Sequence, residues 1–368
     1  MAVYKIFPEK DATLYSEYPV MNSGIDEIIE ATTGQDVAGD PNASRFLIKF
    51  PQSEILDVID NKATGSLAAY LKVFVAKVEG LGQETTIECL AVSGSWENGT
   101  GKYLDSPQVT NGVSWEYRTA EGTGAWATTF PSLEVTGSWS GSNVGGGNWY
   151  TNGAYIQSTP FQYRSDFDIV LNTTNTVLSW YSGSIGNDGF IIKQANADEF
   201  STDPAKRVQF KYFSVDTNTI YPPQLEFRWD DFTFNTGSSA QRILTDPDIV
   251  ATLPNNTGVY YSGSLQRFRV NARPQFPPRI FTTSSFYTTN YYLPTASYWS
   301  IKDLDTNEVV IDFDSTYTKV SADSISSYFD VYMNGLEPER YYQILIKTHI
   351  DGAIKILDDK YYFKVVNG

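Results

Sequence analysis

The sequence predicts an all-β protein of two sandwich domains, and three observations carry that prediction. Val, Ile, Thr and Tyr recur in short runs cut by Gly, Pro, Asn and Asp, the mixture that favours strands and turns over helices. Aromatic residues make up 15% of the chain, with 25 Tyr, 21 Phe and 8 Trp to fill sandwich interiors. The chain has 368 residues, 41% of them hydrophobic, which is more than one ordinary domain needs and enough for two cores.

The first domain is expected over residues 1–232, as a jelly-roll sandwich of nine or ten strands. Ala2–Phe7 and Ala12–Tyr15 open it, and Asn22-Ser23-Gly24 marks a turn before a segment at Glu27–Ala31. Ser44-Arg45-Phe46-Leu47-Ile48-Lys49-Phe50 reads as a strong strand that stops at Pro51, which has no N–H to give to a ladder. A short helix is expected over Ser53–Ile59. Leu67–Val78 is the longest strand signal and is apolar on both faces, followed by Thr85–Val92. Residues 99–160 carry long loops, including a Gly- and Ser-rich stretch between Trp139 and Trp149. Flexible linkers usually lack tryptophan, so a docked loop is expected there. Strands resume at Asp166–Leu171, Val177–Trp180, Phe190–Lys193, Val208–Val215 and Gln224–Trp229.

Residues 233–262 are dense in turn formers and read as an extended connector, with a strand near Ile249–Leu253. Residues 263–368 then show strand signals spaced as in a smaller immunoglobulin- or fibronectin-like sandwich. Within it, Leu336-Glu337-Pro338 feeds the alternating run from Tyr341 to Ile346, a turn before a tyrosine-bearing strand.

Charge and residue inventory narrow the function. The net charge is −16, from 43 acidic and 27 basic residues, which opposes binding to nucleic acid or to an anionic membrane surface. No run of about 18 apolar residues is present, so no membrane-spanning helix is expected. The N-terminus shows no apolar run of signal-peptide length, and synthesis in the cytoplasm without a cleaved signal is the expectation. The single cysteine, Cys89, lies in a strand-like run and reads as a small core residue. The single histidine, His349, lies on a strand near the C-terminus, with no nucleophile elbow elsewhere to use it. One Cys and one His cannot close a zinc site. Acidic pairs such as Asp57 with Asp60, Asp230 with Asp231 and Glu97 with Glu116 are what 43 carboxylates produce by chance. No catalytic residue is assigned, and the protein is expected not to be an enzyme.

Two binding chemistries remain. Calcium needs clustered oxygen ligands, and the best clusters are Asp303, Asp305, Asn307 and Glu308, and Asp11 near Asn22 and Asp26. The preferred reading is an acidic turn that starts a hairpin, and no cofactor is expected. Glycan binding would use exposed rings as stacking platforms. Trp96, Trp115, Trp126, Trp139, Trp149 and Trp180 all fall in the first domain, and Trp139 and Trp149 are the stacking candidates. The competing and preferred reading is that these rings staple long loops onto the sandwich.

The first domain resembles jelly-roll modules of the DNRLRE type, which are similar in shape to carbohydrate-binding modules. The resemblance rests on the order Lys10–Leu14, Asn22–Gly24, Ser44–Phe50, Ala69–Leu71, Trp96, Val177–Trp180 with Asn187–Phe190, and Pro223–Glu226. The Gly-rich insertion around residues 134–154 departs from a minimal module. The whole chain looks like virion structural proteins of large tailed phages, an impression supported by Tyr291–Asp303 and Tyr341–Lys347. This resemblance implies a non-enzymatic part of the neck, tail or capsid surface, assembled in the host cytoplasm beside other virion proteins in multiple copies. The alternative it leaves is an adhesin for host glycans.

Overall fold

The computed structural model describes residues 2–35, 41–126, 133–135, 145–199, 201–237, 242–276 and 291–368. Strands hold 44% of the chain and helices 11%, so the protein is all-β. In chain order the strands are β1 (Ala2–Ile6), β2 (Lys10–Tyr15), β3 (Ile28–Gln35), β4 (Pro41–Lys49), β5 (Leu67–Val73), β6 (Val75–Glu79), β7 (Thr85–Ala91) and β8 (Leu133–Val135). They continue as β9 (Asn148–Tyr150), β10 (Ile156–Phe161), β11 (Ile169–Asn172), β12 (Phe190–Gln194), β13 (Gln209–Phe213), β14 (Gln224–Trp229), β15 (Ile249–Thr252) and β16 (Val259–Tyr261). The last are β17 (Leu265–Pro274), β18 (Ser297–Asp303), β19 (Val309–Ile311), β20 (Ser321–Ala322), β21 (Ser327–Tyr332), β22 (Tyr341–Ile350) and β23 (Ala353–Val366). Among the described residues, three short α-helices are α1 (Gln52–Asp57), α2 (Thr174–Ser182) and α3 (Asn196–Glu199).

The chain forms two compact units. One holds Ile6–Lys62 and Ala68–Glu226; the other holds Met1–Lys5, Ala63–Leu67 and Phe227–Gly368. The second unit therefore takes the N-terminal segment that the sequence reading placed in residues 1–232. Val3 lies in its core, Tyr4 packs edge-on against Tyr332, and Asn334 donates to the Lys5 carbonyl at 2.6 Å.

In the jelly-roll-like unit a curled eight-stranded sheet runs β10–β7–β12–β4–β3–β13–β6, with β2 pairing β4 off that path. In a facing sheet β5 pairs β11 antiparallel. The single strand expected over Leu67–Val78 is two. The chain breaks at Phe74, β5 and β6 enter different sheets, and Asp168 accepts the Val75 N–H at the corner. A strand that changes sheets shows apolar residues on both faces, which is why the segment read as one continuous buried strand. Val177–Trp180, expected as a strand, lies inside α2. Thr176, Val177 and Trp180 form its buried stripe, Asn172 accepts the Thr174 N–H, and Gly183 ends the helix at φ 72°. The helix expected near Ser53–Ile59 is present as α1.

The second unit is a sandwich of sheets β15–β17–β21–β20 and β16–β23–β22–β18–β19. β16 runs parallel to β23, whereas the other pairs are antiparallel. That order matches the two sheets of the immunoglobulin architecture, with β15 and β16 as a divided first strand. Residues expected to form a connector, 233–262, thus supply two strands of this unit. With no cysteine here, aromatic packing fills the core: Trp299 of β18 stacks on Phe329 of β21 at 5.3 Å. The Leu336–Pro338 turn acts as the sequence suggested. Tyr342 donates its hydroxyl to the Glu337 carbonyl at 3.0 Å, a tyrosine corner that fixes the entry to β22.

The jelly-roll-like unit is held by charge. Arg45 of β4 and Glu199 of α3 are both fully buried and form a two-pronged ion pair at 2.7 and 2.9 Å. The guanidinium also donates to the Gly146 carbonyl at 2.7 Å and lies 4.8 and 5.2 Å from the rings of Trp115 and Trp149. Lys193 of β12, equally buried, approaches Glu88 at 3.1 Å and Glu199 at 3.9 Å. Gly146 must be glycine: its φ is 76°, and a Cβ there would meet Arg45 and Trp115 at 2.7 Å. Removing one partner of a buried pair strands the other charge in a low-dielectric interior, at about 3–5 kcal/mol. Glu199→Gln is therefore expected to lower the urea unfolding free energy of this unit by about 3 kcal/mol or more. A loss under about 1 kcal/mol would contradict the role given to the pair.

Candidate functional site

The long segment from Ser93 to Trp126 is a docked loop. Asn22 holds it with all the capacity of its amide. Nδ2 donates to the carbonyls of Asn98 and Val113 at 2.7 and 2.8 Å, and Oδ1 accepts from the N–H groups of Gly101 and Gly24. Backbone bonds from Glu116 to Pro19 and from Asn22 to Val109 complete the attachment, and those from Val113 to Glu97 and Arg118 to Gly124 brace the loop internally. Trp96, Trp115, Trp126 and Trp149 join Leu14, Leu47 and Ile191 in one core cluster.

This decides the tryptophans. Trp96, Trp115, Trp126, Trp149 and Trp180 are each at most 2% exposed. Trp149, proposed from sequence as a stacking platform, presents no open face and serves the Arg45 cluster instead. Trp139 lies outside the described residues. Of the other sequence candidates, Cys89 is a fully buried strand residue whose thiol is pushed up by burial. His349 sits on the outer face of β22, edge-on to Tyr298. Asp303 is bonded by Arg340 at 2.6 and 2.8 Å and by the Asp305 and Thr306 N–H groups, the acidic-turn reading of that cluster. Burial raises its carboxyl, but those bonds outweigh burial and leave it below the usual range. Among the described residues, no three His, Cys, Asp or Glu side chains are grouped to hold a metal. Asp57 bonds Asn61 and Lys62, and Asp60 accepts the Tyr181 hydroxyl.

The loop also builds a cleft that sequence reading did not find. A polar cleft of about 240 Å³ opens over β2, β3, β4 and β13, and Tyr103 forms one wall. Tyr103 is 43% exposed, yet its ring rests on Tyr15 at 4.7 Å and meets Tyr18 edge-on at 6.0 Å. Its backbone N–H donates to Asp26 at 3.0 Å. The next residue, Leu104, takes φ 58°, a left-handed conformation that a branched side chain seldom adopts. The floor carries paired polar groups: Glu30 with Lys211 at 3.0 Å, Thr32 with Ser44 at 2.8 Å, and Glu17 with Asn42 at 3.1 Å.

Two neighbouring carboxylates of this unit are crowded. Burial raises Asp11 to about 8, opposed by the Val215 N–H and reinforced by Asp216 and Asp26. Burial likewise raises Asp26 to about 6, opposed by the Tyr103 N–H and Lys102.

No family model matches the chain, and no curated protein matches it. Among solved structures, a DUF4785 family protein from Legionella pneumophila is 8% identical, aligned over 98% of this chain and 65% of that one, with a TM-score of 0.18. A biofilm-associated protein BSP domain is 7% identical over 100% of this chain and 90% of that one, with a TM-score of 0.15. Likeness at these scores carries no argument about fold or function.

The crowded carboxylates give a pH prediction. A raised Asp11 holds a proton in the folded chain that the unfolded chain has released by about pH 5, so stability falls as pH climbs from there toward 8. Asp11→Asn keeps an acceptor for Val215 and removes the titration. Its melting temperature at pH 8 is expected to rise by about 3 °C or more, the effect of about 1 kcal/mol in a domain of this size. The fall in melting temperature between pH 6 and 8 should shrink. A variant that melts lower at pH 8 than the parent would contradict the assignment.

Proposed function

We propose that the protein is a non-enzymatic structural component of a tailed-phage particle, at the neck, tail or capsid surface, where it joins neighbouring virion proteins. The observation that carries this reading is the outer face of the five-stranded sheet in the second unit. Strand alternation and register put Val259, Tyr261, Tyr341, Ile354, Ile356 and Tyr362 on that one face, each 40–65% exposed. Lys302, Lys347 and Lys364 are its cationic strand members. Single exposed apolar residues are ordinary, but an extended apolar and aromatic face is what a protein interface leaves bare in the isolated subunit. Tyrosine supplies much contact area at low entropic cost, and many copies in a particle turn weak contacts into stable attachment.

The buried charges support the same reading. Arg45, Glu199 and Lys193 hold strands and loops together inside the fold, and the partly exposed Lys72 pairs the buried Glu226 at 2.7 Å. The sequence resemblance to phage virion proteins supplies the biological setting.

Labelled antibody in electron microscopy of purified particles, with copy number from mass spectrometry, tests the proposal. A fixed copy number at one location is expected. Tyr261→Ser combined with Tyr362→Ser should cut incorporation by about tenfold while leaving the melting temperature within about 2 °C of the parent. Absence of the protein from particles would end the structural reading.

A further inference from the structure

We infer that the cleft beside Tyr103 is a binding site for a neutral saccharide, formed by the jelly-roll-like unit alone. The inference goes beyond the assembly role and uses a different surface.

A sugar ring asks two things of a protein. Its C–H face packs on an aromatic ring, and its hydroxyls, each both donor and acceptor, bond to polar groups fixed at its edge. Tyr103 meets the first need. An exposed tyrosine at a loop tip would ordinarily be free to turn, but this one is braced by Tyr15 and Tyr18 and held through its own N–H by Asp26. The left-handed Leu104 behind it costs conformational energy, and the surrounding bonds keep it there. The wall is thus a rigid platform, ordered before any ligand arrives, which lowers the entropic cost of binding.

The floor meets the second need. Glu17 with Asn42 and Glu30 with Lys211 are oriented by bonds to one another and use only part of their capacity, while the buried Ser44, whose hydroxyl donates to the Glu30 carbonyl, holds Thr32 in place. A carboxylate has about four acceptor positions and an ammonium three donors, so both remain open to hydroxyls. Among the described residues, no side chain bonds the amide of Gln209, which also lines the cleft. Apart from Ala43, the lining has no aliphatic side chain, so an apolar ligand would leave polar groups without partners. The volume of about 240 Å³ suits roughly one or two sugar rings.

Charge selects among sugars. This unit carries 27 Asp and Glu against 13 Lys and Arg, a net of −14, while the other unit has 16 against 14, a net of −2. The single cleft lysine is already paired with Glu30. A uronic or sialic acid would enter a negative field and meet no unpaired cation, so uncharged sugars are favoured.

The test titrates the full chain, by NMR and calorimetry, with lactose, maltotriose, cellotriose and N,N′-diacetylchitobiose, and with digalacturonate as the acidic comparison. At least one neutral sugar is expected to bind with a Kd of about 1 mM or tighter, and digalacturonate about tenfold more weakly or not at all. Tyr103→Ala should weaken binding by about tenfold or more, Tyr103→Phe should retain it, and Glu17→Gln should weaken it without altering the melting curve. No binding by any of the neutral sugars at about 10 mM would overturn the inference. So would binding that Tyr103→Ala and Glu17→Gln leave unchanged, or a preference for digalacturonate. None of these outcomes bears on whether the protein is found in particles.

Discussion

The constraint on which the jelly-roll-like unit depends is that a buried guanidinium must be fully answered. Arg45 lies where water cannot reach it, and desolvating a charge costs several kcal/mol unless partners replace the water. Its partners come from far along the chain: Glu199 from α3, the Gly146 carbonyl from the end of the Gly-rich insertion, and the rings of Trp115 from a loop and Trp149 from β9. Arginine suits the position because its planar group accepts a bidentate carboxylate in plane and aromatic faces out of plane. None of the partners can drift without exposing a charge to an apolar interior. The ion pair therefore fixes the segments around Trp115 and Gly146, and the fixed loop before Trp115 presents Tyr103.

The second unit also pairs a buried carboxylate, Asp303 with Arg340, but its core cluster is apolar. Its core is aromatic, with Phe268, Phe329, Phe363 and Tyr260 packed together and Trp299 across them. One hydroxyl, that of Tyr342, sets the corner before β22. The two units thus differ in what a mutation costs. In the first, losing one member strands a charge; in the second, losing a ring leaves a cavity.

Much of this was legible in the sequence where structure is local. The turn at Leu336–Pro338 and the tyrosine after it announced an immunoglobulin-like strand, and β14 falls where the alternation of Gln224–Trp229 placed it. Local reading failed where tertiary context decides. Val177–Trp180 has β-branched and aromatic content, but the Asn172 turn that accepts the Thr174 N–H and the Gly183 stop frame it as a helix. Two tryptophans beside glycines looked like a display loop, yet Trp149 is interior because Arg45, 104 positions earlier, needs a ring. The cleft had no sequence signature at all. Its members run from Tyr15 to Lys211 and meet only because β2, β3, β4 and β13 share one curled sheet.

Native-state hydrogen exchange on the full chain tests the central claim most directly, since it reports whether the loop is part of the folded core. If the Arg45 cluster fixes the segment from Ser93 to Trp126, the amides of Val113, Glu116, Arg118 and Trp126 open with the same free energy as those of β4 and β12. Exchange of those four amides at loop-like rates, with β4 and β12 still protected, would show that the loop is not held by the pair.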